Sequence, residues 1–493
     1  MTQRQAAISW RAAAAAFALG AFCVLGFAPF DAYFAVWPAP TFALGGLFLL
    51  WRKAPSARAA MLLGLAWGAG CFLLGVSWVY VSLSEFGGMA PPLAAAATLL
   101  FCLYLALFPA FAGGLFLRWR RNAPRDVLLF AGLWTLGEWL RGTLFTGFPW
   151  LAIGYSQSPP SPLAGWASVL GVYGVGFVVA LIAGLLGEMI ITGWRKAGAW
   201  ATILLLLGFG GLLRQMDWTQ PAGPPVTVSL LQGNVPQSLK WDPSRLPLSV
   251  DTYLRLAKNH PAAITVLPET ALPLFFNEVP RDVLRGLTGH GDALIGVAVG
   301  TTDGGYSNGA VALTPNLKVK AYAKRHLVPF GEYAPPGFAW FFRFARIPMS
   351  NFTAGQPRQE PLAIGGQRVA PNICYEDLFG EELLGALPAA TLLVNMSNTA
   401  WFGDSLAQPQ HLQIARLRAI ETGRVMLRAT NTGMTAMVGP DGSIMAALPP
   451  FTAVALVVQA QGRTGLTPYA RWGNLLALLI AVGACLTALR RKG

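Results

Sequence analysis

Cys374 is the residue whose type and position could carry chemistry in this chain. It lies in VAPNICYEDLFG, residues 369–380, and it is the one cysteine in the polar half of the sequence, since the other four lie in hydrophobic runs. A cysteine nucleophile needs a base to take its proton and a positive group or donor to hold the oxyanion. The alternative is a small buried hydrophobic residue, which is common for free cysteine. The neighbouring residues must decide between the two.

Candidate bases and cations accompany this thiol. The chain has four histidines, His260, His290, His326 and His411, and their settings are typical of surface or capping residues. Glu269 directly follows the apolar run AITVLP, and burial that raises the pKa of a carboxylate can make it a base. Lys324, in AYAKRHLVPFGEY, could lower the pKa of the thiol and pair with the oxyanion. Taken singly, a cap or a surface residue explains Glu269 or Lys324 equally well.

Short apolar runs separated by turn signals predict the elements that position these side chains. The runs are VTVSLLQGN, AAITVLPET, ALIGVAVGT, NGAVALTP, RVAPNICYED, ATLLVNMSN, GRVMLRATN and TAMVGPDG. Helical patterns intervene in LSVDTYLRLAKNH, EVPRDVLRGLTGH and QPQHLQIARLRAIETG. This mixture is typical of an α/β layered domain. Glu269, Cys374 and Asn398 each follow a predicted strand, where site residues of such domains commonly lie.

The composition of the whole chain is that of an integral membrane protein. It is 54% hydrophobic and 12% charged, against about 25% charged residues in a typical soluble protein. Eight runs approach the ~20 apolar residues that cross a bilayer. They are Ala12–Phe27, Tyr33–Trp51, Ala59–Leu83, Leu93–Leu117, Val127–Phe148, Val169–Ile191, Ala197–Leu213 and Trp472–Leu489. The first could be a signal peptide, but it lacks a clear cleavage site, and we interpret it as a retained helix.

Basic residues lie in alternate connections between these runs. The positive-inside rule therefore places both termini in the cytoplasm and the segment before the last span outside it. We predict membrane helices one to seven in residues 1–216, an extracytoplasmic domain in 217–470, and the eighth helix with a basic tail in 471–493. The net charge of +14 follows this topology, so we expect no nucleic-acid partner.

Two further features of the sequence suggest roles at the membrane. Glu138 and Arg141 lie within the fifth span and predict an intramembrane ion pair, either a structural brace or a phosphate contact. A cluster of aromatic residues follows the Lys324 segment, namely Phe338, Trp340, Phe341 and Phe342. Such a cluster is typical of a membrane interface or of a hydrophobic core.

Motifs along the whole chain resemble one family. LPET, YAKRHLVPFGEYAP and ICYED are similar to the Glu-Lys-Cys arrangement of the nitrilase superfamily. The eight spans, with GNVPQSLKW, EWLRGTLFTGFPW, LVPFGEY and SNTAWFGDS, resemble its membrane branch, the apolipoprotein N-acyltransferases. The resemblance implies a nitrilase-like αββα domain outside the cytoplasm of a bacterial inner membrane.

The resemblance also implies roles for residues at matching positions. It makes Cys374 the nucleophile, Glu269 the base, Lys324 the oxyanion partner and Glu332 a second site carboxylate. Tyr375 and Glu376 match supporting residues beside the thiol, and Trp241, Asn308 and Trp401 match substrate-binding positions. Thr399 departs from the pattern, because many relatives have an acidic residue there, which leaves the role of its loop open.

The implied reaction is a ping-pong acyl transfer. A phospholipid would acylate Cys374, and the thioester would pass its acyl chain to the N-terminal α-amine of a diacylglyceryl-cysteine apolipoprotein. We expect no cofactor and no metal, and we expect the chain to act as a monomer at the lipid bilayer. One alternative is a membrane-anchored amidase. Another is a transporter with an extracytoplasmic domain, which would have polar residues and broken helices in several spans.

Overall fold

Apolar sequence in the first 216 residues forms a series of helices. The computed structural model describes residues 9–30, 36–121, 124–237, 244, 246–337 and 351–489. The helices are α1 (Trp10–Cys23), α2 (Ala39–Lys53), α3 (Ala57–Gly75), α4 (Pro91–Trp119), α5 (Asp126–Arg141), α6 (Ala167–Thr192) and α7 (Ala197–Leu213), and a C-terminal helix spans Leu475–Leu489. Shorter helical turns lie at Val24–Gly26, Val79–Val81, Ser82–Phe86, Leu144–Thr146, Ile153–Gln157 and Pro162–Trp166.

Length and hydropathy identify three of these helical segments as candidate membrane spans within the described residues. They are Ala57–Gly75, Pro91–Trp119 and Pro162–Thr192. Three shorter apolar helices cover Trp10–Gly26, Ala197–Leu213 and Leu475–Leu489. The full set of eight spans stays a prediction.

Glycines allow the helices of this part of the chain to pack closely. A Cβ atom at Gly20 of α1 would lie 1.8 Å from the carbonyl oxygen of Trp67 in α3. A Cβ at Gly70 of α3 would lie 2.1 Å from the carbonyl oxygen of Phe17 in α1. Small residues that bring backbones together are typical of helix contacts in membranes, because lipid offers no hydrophobic drive for association.

Glu138 and Arg141 form the predicted ion pair, with Arg141 Nη2 3.8 Å from Glu138 Oε1. Arg141 also donates to the carbonyl oxygens of Phe148 (2.6 Å) and Trp150 (2.7 Å). The amide of Ile153 donates to Glu138 Oε1 at 2.8 Å. The pair therefore satisfies backbone groups of the loop that follows α5, which is the contact set of a structural brace.

The chain divides into two compact units. One comprises Met1–Tyr80, Pro92–Met216 and Arg471–Gly493, and the other comprises Val81–Pro91 and Asp217–Ala470. Val81–Pro91 was predicted as the end of the third span and the loop after it, but it packs with the second unit.

Fifteen strands form within the described part of the second unit. They are β1 (Thr219–Pro221), β2 (Val226–Gln232), β3 (Ile264–Val266), β4 (Leu272–Phe275), β5 (Asp292–Gly300), β6 (Tyr306–Leu313), β7 (Val319–Ala323), β8 (Leu362–Ile364), β9 (Gln367–Ile373), β10 (Leu392–Ser397), β11 (Met426–Thr430), β12 (Ala436–Val438), β13 (Ile444–Ala447), β14 (Val454–Ala460) and β15 (Arg463–Gly465). One sheet has the order β14-β2-β3-β5-β6-β7, with β4 paired to β5, and the other has the order β13-β12-β11-β10-β9-β8. A small third sheet pairs β1 with β15.

The two large sheets stack face to face, with a helical layer outside each. Their shared core includes Val228 and Val266 of one sheet and Ile373 and Val394 of the other. Helices α8 (Leu246–Asn259) and α9 (Arg281–Leu287) pack on the outer face of the first sheet, and α10 (Ala407–Thr422) packs on the outer face of the second. The predicted α/β layered domain is confirmed, and its layers run helix, sheet, sheet, helix.

Candidate active site

Three strand ends deliver the polar side chains that the sequence singled out. Glu269 lies three residues after β3, Cys374 directly follows β9, and Asn398 directly follows β10. Since β9 and β10 are parallel neighbours, Cys374 and Asn398 lie at the same edge of their sheet. The amide of Asn398 donates to Glu269 Oε2 at 2.7 Å. This bond connects the end of one sheet to the end of the other.

Lys324 lies between two carboxylates. Its Nζ is 2.9 Å from Glu332 Oε1 and 3.4 Å from Glu269 Oε1, and the residue is 1% exposed. Burial lowers the pKa of Lys324, but Glu332 and Glu269 together raise it by more, so that its pKa lies above the ordinary value. The lysine is therefore a buried cation that is held in its charged form.

Asn308 ties the two carboxylates together. Its Nδ2 donates to Glu269 Oε1 at 2.7 Å and to Glu332 Oε1 at 2.9 Å, and the residue is 2% exposed. Carboxylates only accept hydrogen bonds, so the amide nitrogen must face them. The amide of Val328 also donates to Glu332 Oε2 at 2.8 Å. The structure places the Asn308 side chain within the charged cluster, and its predicted role as a substrate contact stays a prediction.

Cys374 lies at the rim of the core between the two sheets and is 9% exposed. Its φ of 53° is in the left-handed region that side chains rarely adopt. Burial raises the pKa of the Cys374 thiol well above its ordinary value, Glu269 raises it further, and Lys324 lowers it. Lys324 alone lowers the pKa of the thiol, as expected. Burial and Glu269 outweigh the lysine, so the net shift is upward. The net shift of the Cys374 pKa therefore favours the protonated thiol.

Glu376 links the strand that ends at Cys374 to the segment that carries Lys324. Its Oε2 accepts from the amide of Ile373 at 2.6 Å. Its Oε1 accepts from the amide of Arg325 at 2.7 Å and from the hydroxyl of Tyr322 at 2.9 Å. A buried carboxylate with this many donors is a fixed structural element, so it is poorly suited to exchange protons with substrate.

Aromatic and imidazole rings of the two segments that Glu376 links also pack against each other. The ring of Tyr375 lies 5.1 Å from that of Phe379 and 5.7 Å from that of His326. His326 Nδ1 is 3.0 Å from Glu382 Oε1, and His411 Nε2 is 2.7 Å from Asp377 Oδ1. These two histidines pair with carboxylates outside the Lys324 cluster, where Glu269 and Glu332 flank the ammonium.

Of the other predicted substrate contacts, Trp401 is half-buried in the turn Thr399–Phe402 after Asn398. Its carbonyl oxygen accepts from Ser82 Oγ at 2.8 Å, and its ring lies 6.3 Å from that of Phe86. Trp241 and the aromatic cluster Phe338, Trp340, Phe341 and Phe342 lie outside the described residues.

Sequence reasoning missed three of these contacts. Asn308 as a bridge, the Asn398 amide on Glu269 and the Ser82 contact to Trp401 all join segments far apart in the chain. The polar ending of the LLVNMS run was the one signal, and it identified Asn398 without its partner.

Family models match both parts of the chain. The apolipoprotein N-acyltransferase N-terminal domain matches residues 19–185, and the carbon-nitrogen hydrolase domain matches residues 227–469. The second match agrees with a nitrilase-like fold for the layered unit. A CN-hydrolase superfamily protein of Xanthomonas campestris aligns over 48% of this chain and 91% of its own, at 19% identity and a TM-score of 0.38.

Curated relatives match nearly the full length. An apolipoprotein N-acyltransferase of Nitrosomonas europaea is 47% identical, over 95% of this chain and 96% of that protein. One of Ralstonia nicotianae is 44% identical, over 96% of this chain and 92% of that protein. The chain therefore belongs to the apolipoprotein N-acyltransferase family.

Proposed function

We propose that the chain transfers a fatty acyl chain from a membrane phospholipid to the N-terminal α-amine of a diacylglyceryl-cysteine apolipoprotein, through a thioester on Cys374. One observation carries the mechanism: Glu269 and Lys324 lie in contact with each other, and both act electrostatically on Cys374. A base, a cation and a nucleophile at one point are what acyl transfer requires.

In the first half-reaction, Glu269 takes the proton of Cys374 as Sγ attacks the ester carbonyl carbon. The resulting tetrahedral oxyanion is stabilised by the ammonium of Lys324, which the Glu332 carboxylate keeps charged. Collapse breaks the ester C–O bond, and the leaving lysophospholipid oxygen takes the proton back from Glu269. The products are a thioester on Cys374 and a lysophospholipid.

In the second half-reaction, the α-amine of the acceptor attacks the thioester carbonyl. Glu269 accepts a proton from the attacking nitrogen, and Lys324 again faces the oxyanion. Collapse breaks the C–S bond, and the thiolate recovers its proton from Glu269. An amide is more stable than a thioester, so the second step is downhill.

The proposal includes a topology. Eight spans would place both termini in the cytoplasm and residues 217–470 on the periplasmic side of a bacterial inner membrane, beside the lipid surface. Both substrates are lipid-anchored, so a site at the surface replaces a three-dimensional search with a two-dimensional one and raises their effective concentration. We expect the chain to work there as a monomer.

The test is the intact mass of the purified protein. Incubation with phospholipid should add the mass of one fatty acyl chain to the protein. A diacylglyceryl-cysteine peptide added next should remove that mass from the protein, and the peptide should gain the same mass. Cys374→Ala should lose the added mass, whereas Cys485→Ala, a variant at another buried cysteine, should keep it. Acyl loading that survives Cys374→Ala would refute the thioester. Hydrolysis of small amides without acyl loading would favour a membrane-anchored amidase.

A further inference from the structure

A row of buried polar side chains lies behind Cys374, on three adjacent parallel strands. Asn372 of β9, Asn395 of β10 and Arg428 of β11 share one register. All three are at most 1% exposed. They alternate with residues of the core between the sheets, so they lie on the opposite face, which packs against α10 (Ala407–Thr422).

Hydrogen bonds give this row a fixed direction. Arg428 Nη1 donates to Asn395 Oδ1 at 3.0 Å and to Asp377 Oδ2 at 3.0 Å. Asn395 Nδ2 donates to the carbonyl oxygen of Cys374 at 3.1 Å and to Asn372 Oδ1 at 2.7 Å. A guanidinium only donates, so it dictates that the oxygen of Asn395 faces Arg428 and that its nitrogen faces Cys374.

This row of side chains contacts the backbone of Cys374, which has an unfavourable conformation. A non-glycine residue at a φ of 53° has a strained backbone, which persists only where its surroundings fix it. The bond from Asn395 to the Cys374 carbonyl supplies such a constraint, because it holds the peptide group that follows Cα. A backbone held on this side keeps Cα, and the Cβ atom attached to it, in place.

The charged groups that act on Cys374 come from several segments. They are Glu269, Lys324, Glu332, Asp377 and Arg428. Burial lowers the pKa of Arg428, and the neighbouring Asp377 raises it. Asp377 in turn raises the pKa of the Cys374 thiol, and Arg428 pairs with that carboxylate at 3.0 Å. Without Arg428, Asp377 would keep only His411 as a partner, and burial lowers the pKa of that imidazole.

We infer that Arg428 and Asn395 are positioning residues of the nucleophile, with Arg428 orienting the Asn395 amide and Asn395 holding the Cys374 carbonyl. Arg428 also pairs with Asp377, the carboxylate three residues after the nucleophile. This inference rests on the proposed function only in naming Cys374 as the nucleophile.

The test is alkylation of Cys374 by iodoacetamide in the full-length, detergent-solubilised protein between pH 6 and 10. The rate is read from the mass of the peptide that contains Cys374. Arg428→Gln should react at least about tenfold more slowly at pH 8, with its profile displaced upward by about one pH unit, because a tenfold change in thiolate is one unit of pKa. Arg428→Lys, which keeps the charge, should recover part of the loss.

Two other variants separate positioning from a loss of folding. Asn395→Asp exchanges the donor for an acceptor at almost constant size, and it should displace the profile in the same direction. Arg424→Gln is the matched control, since Arg424 is fully buried but donates to the carbonyl oxygens of Ala390 and Gly465. It should keep the wild-type profile.

Each result of these experiments either supports the inference or overturns it. A wild-type profile in folded Arg428→Gln or Asn395→Asp, or an equal displacement in Arg424→Gln, overturns the inference. Because alkylation needs no phospholipid, failure of acyl loading would count against the proposed function and leave this result standing.

Discussion

At the scale of single residues, the proposed proton transfer leaves the net charge of the buried site unchanged. Glu269, Glu332 and Lys324 together carry one net negative charge beside a neutral thiol. In the proposed mechanism Glu269 takes the proton of Cys374, so the negative charge would pass from oxygen to sulfur and the total would stay the same. This explains how a thiol whose pKa burial raises can react at neutral pH.

Lys324→Ala tests the oxyanion role. Loss of one oxyanion donor elsewhere costs about 2.7–4 kcal/mol of barrier, so acyl loading should slow by about 10²–10³-fold. Single-turnover loading, followed by intact mass, measures the rate. Lys320→Ala is the control, because Lys320 is an exposed lysine on β7 (Val319–Ala323). Loading near the wild-type rate in Lys324→Ala would exclude the assignment.

Glu269→Gln should have opposite effects on two measurements. Acyl loading should fall by about 10²–10⁴-fold, the usual contribution of a general base. Alkylation of Cys374 by iodoacetamide at pH 8.5 should become faster, because the negative charge that raises the pKa of the thiol has gone. A variant that loses both activities alike would indicate a damaged site instead of a missing base.

Asn308→Asp tests the bridge between the carboxylates. The change replaces a donated N–H with a third carboxylate oxygen, and hydrogen bonds to charged groups are worth about 1.5–3 kcal/mol each. We expect acyl loading to fall at least about tenfold while Ser307→Ala, at the neighbouring position, retains it. Since Ser307 Oγ donates to the carbonyl oxygen of Thr353, its loss affects a different contact. Equal loading in both variants would contradict the bridging role.

At the scale of elements, Glu376 fixes how β9 (Gln367–Ile373) meets the segment after β7. Glu376→Gln would set an amide nitrogen against backbone donors, and an unmade buried bond costs about 1–3 kcal/mol. Thermal unfolding should therefore shift downward, and acyl loading should fall because Lys324 loses its fixed distance from Cys374. Glu360→Gln, at an exposed glutamate, should leave both unchanged. Normal loading in Glu376→Gln would show that this link does not position the site.

Buried strands could be predicted from the sequence more easily than exposed ones. The eight apolar runs predicted as strands are strands, because strands buried on both faces read as continuous Val, Ile and Leu. β7 was missed, since its sequence VKAYA is mostly exposed at the edge of its sheet and has no buried run. β14 (Val454–Ala460) is rich in Val and pairs with β2, so its pattern was readable although it was not predicted.

The sequence could likewise locate some residues of the candidate site and not others. Cys374, Glu269 and Asn398 could be located from the strand ends, because a local pattern marks each end. Their partners could not, since the Asn398 amide meets Glu269 only after two separate sheets have stacked. Lys324 and Glu332 follow the edge strand β7. The sequence offered Lys324 as a candidate cation, and only the resemblance to a family motif identified Glu332.

At the scale of the whole molecule, the proposed chemistry requires residues 217–470 to face the outer side of the membrane. Alkaline phosphatase is active only after export, so a fusion after Gln220 should be active. A fusion after Lys196 should be inactive, because Arg195 and Lys196 lie in a basic connection that the positive-inside rule places in the cytoplasm. Both fusions follow α6 (Ala167–Thr192), and only α7 (Ala197–Leu213) separates them. Equal activity at the two points would mean that α7 does not cross, and the eight-span topology would then be wrong.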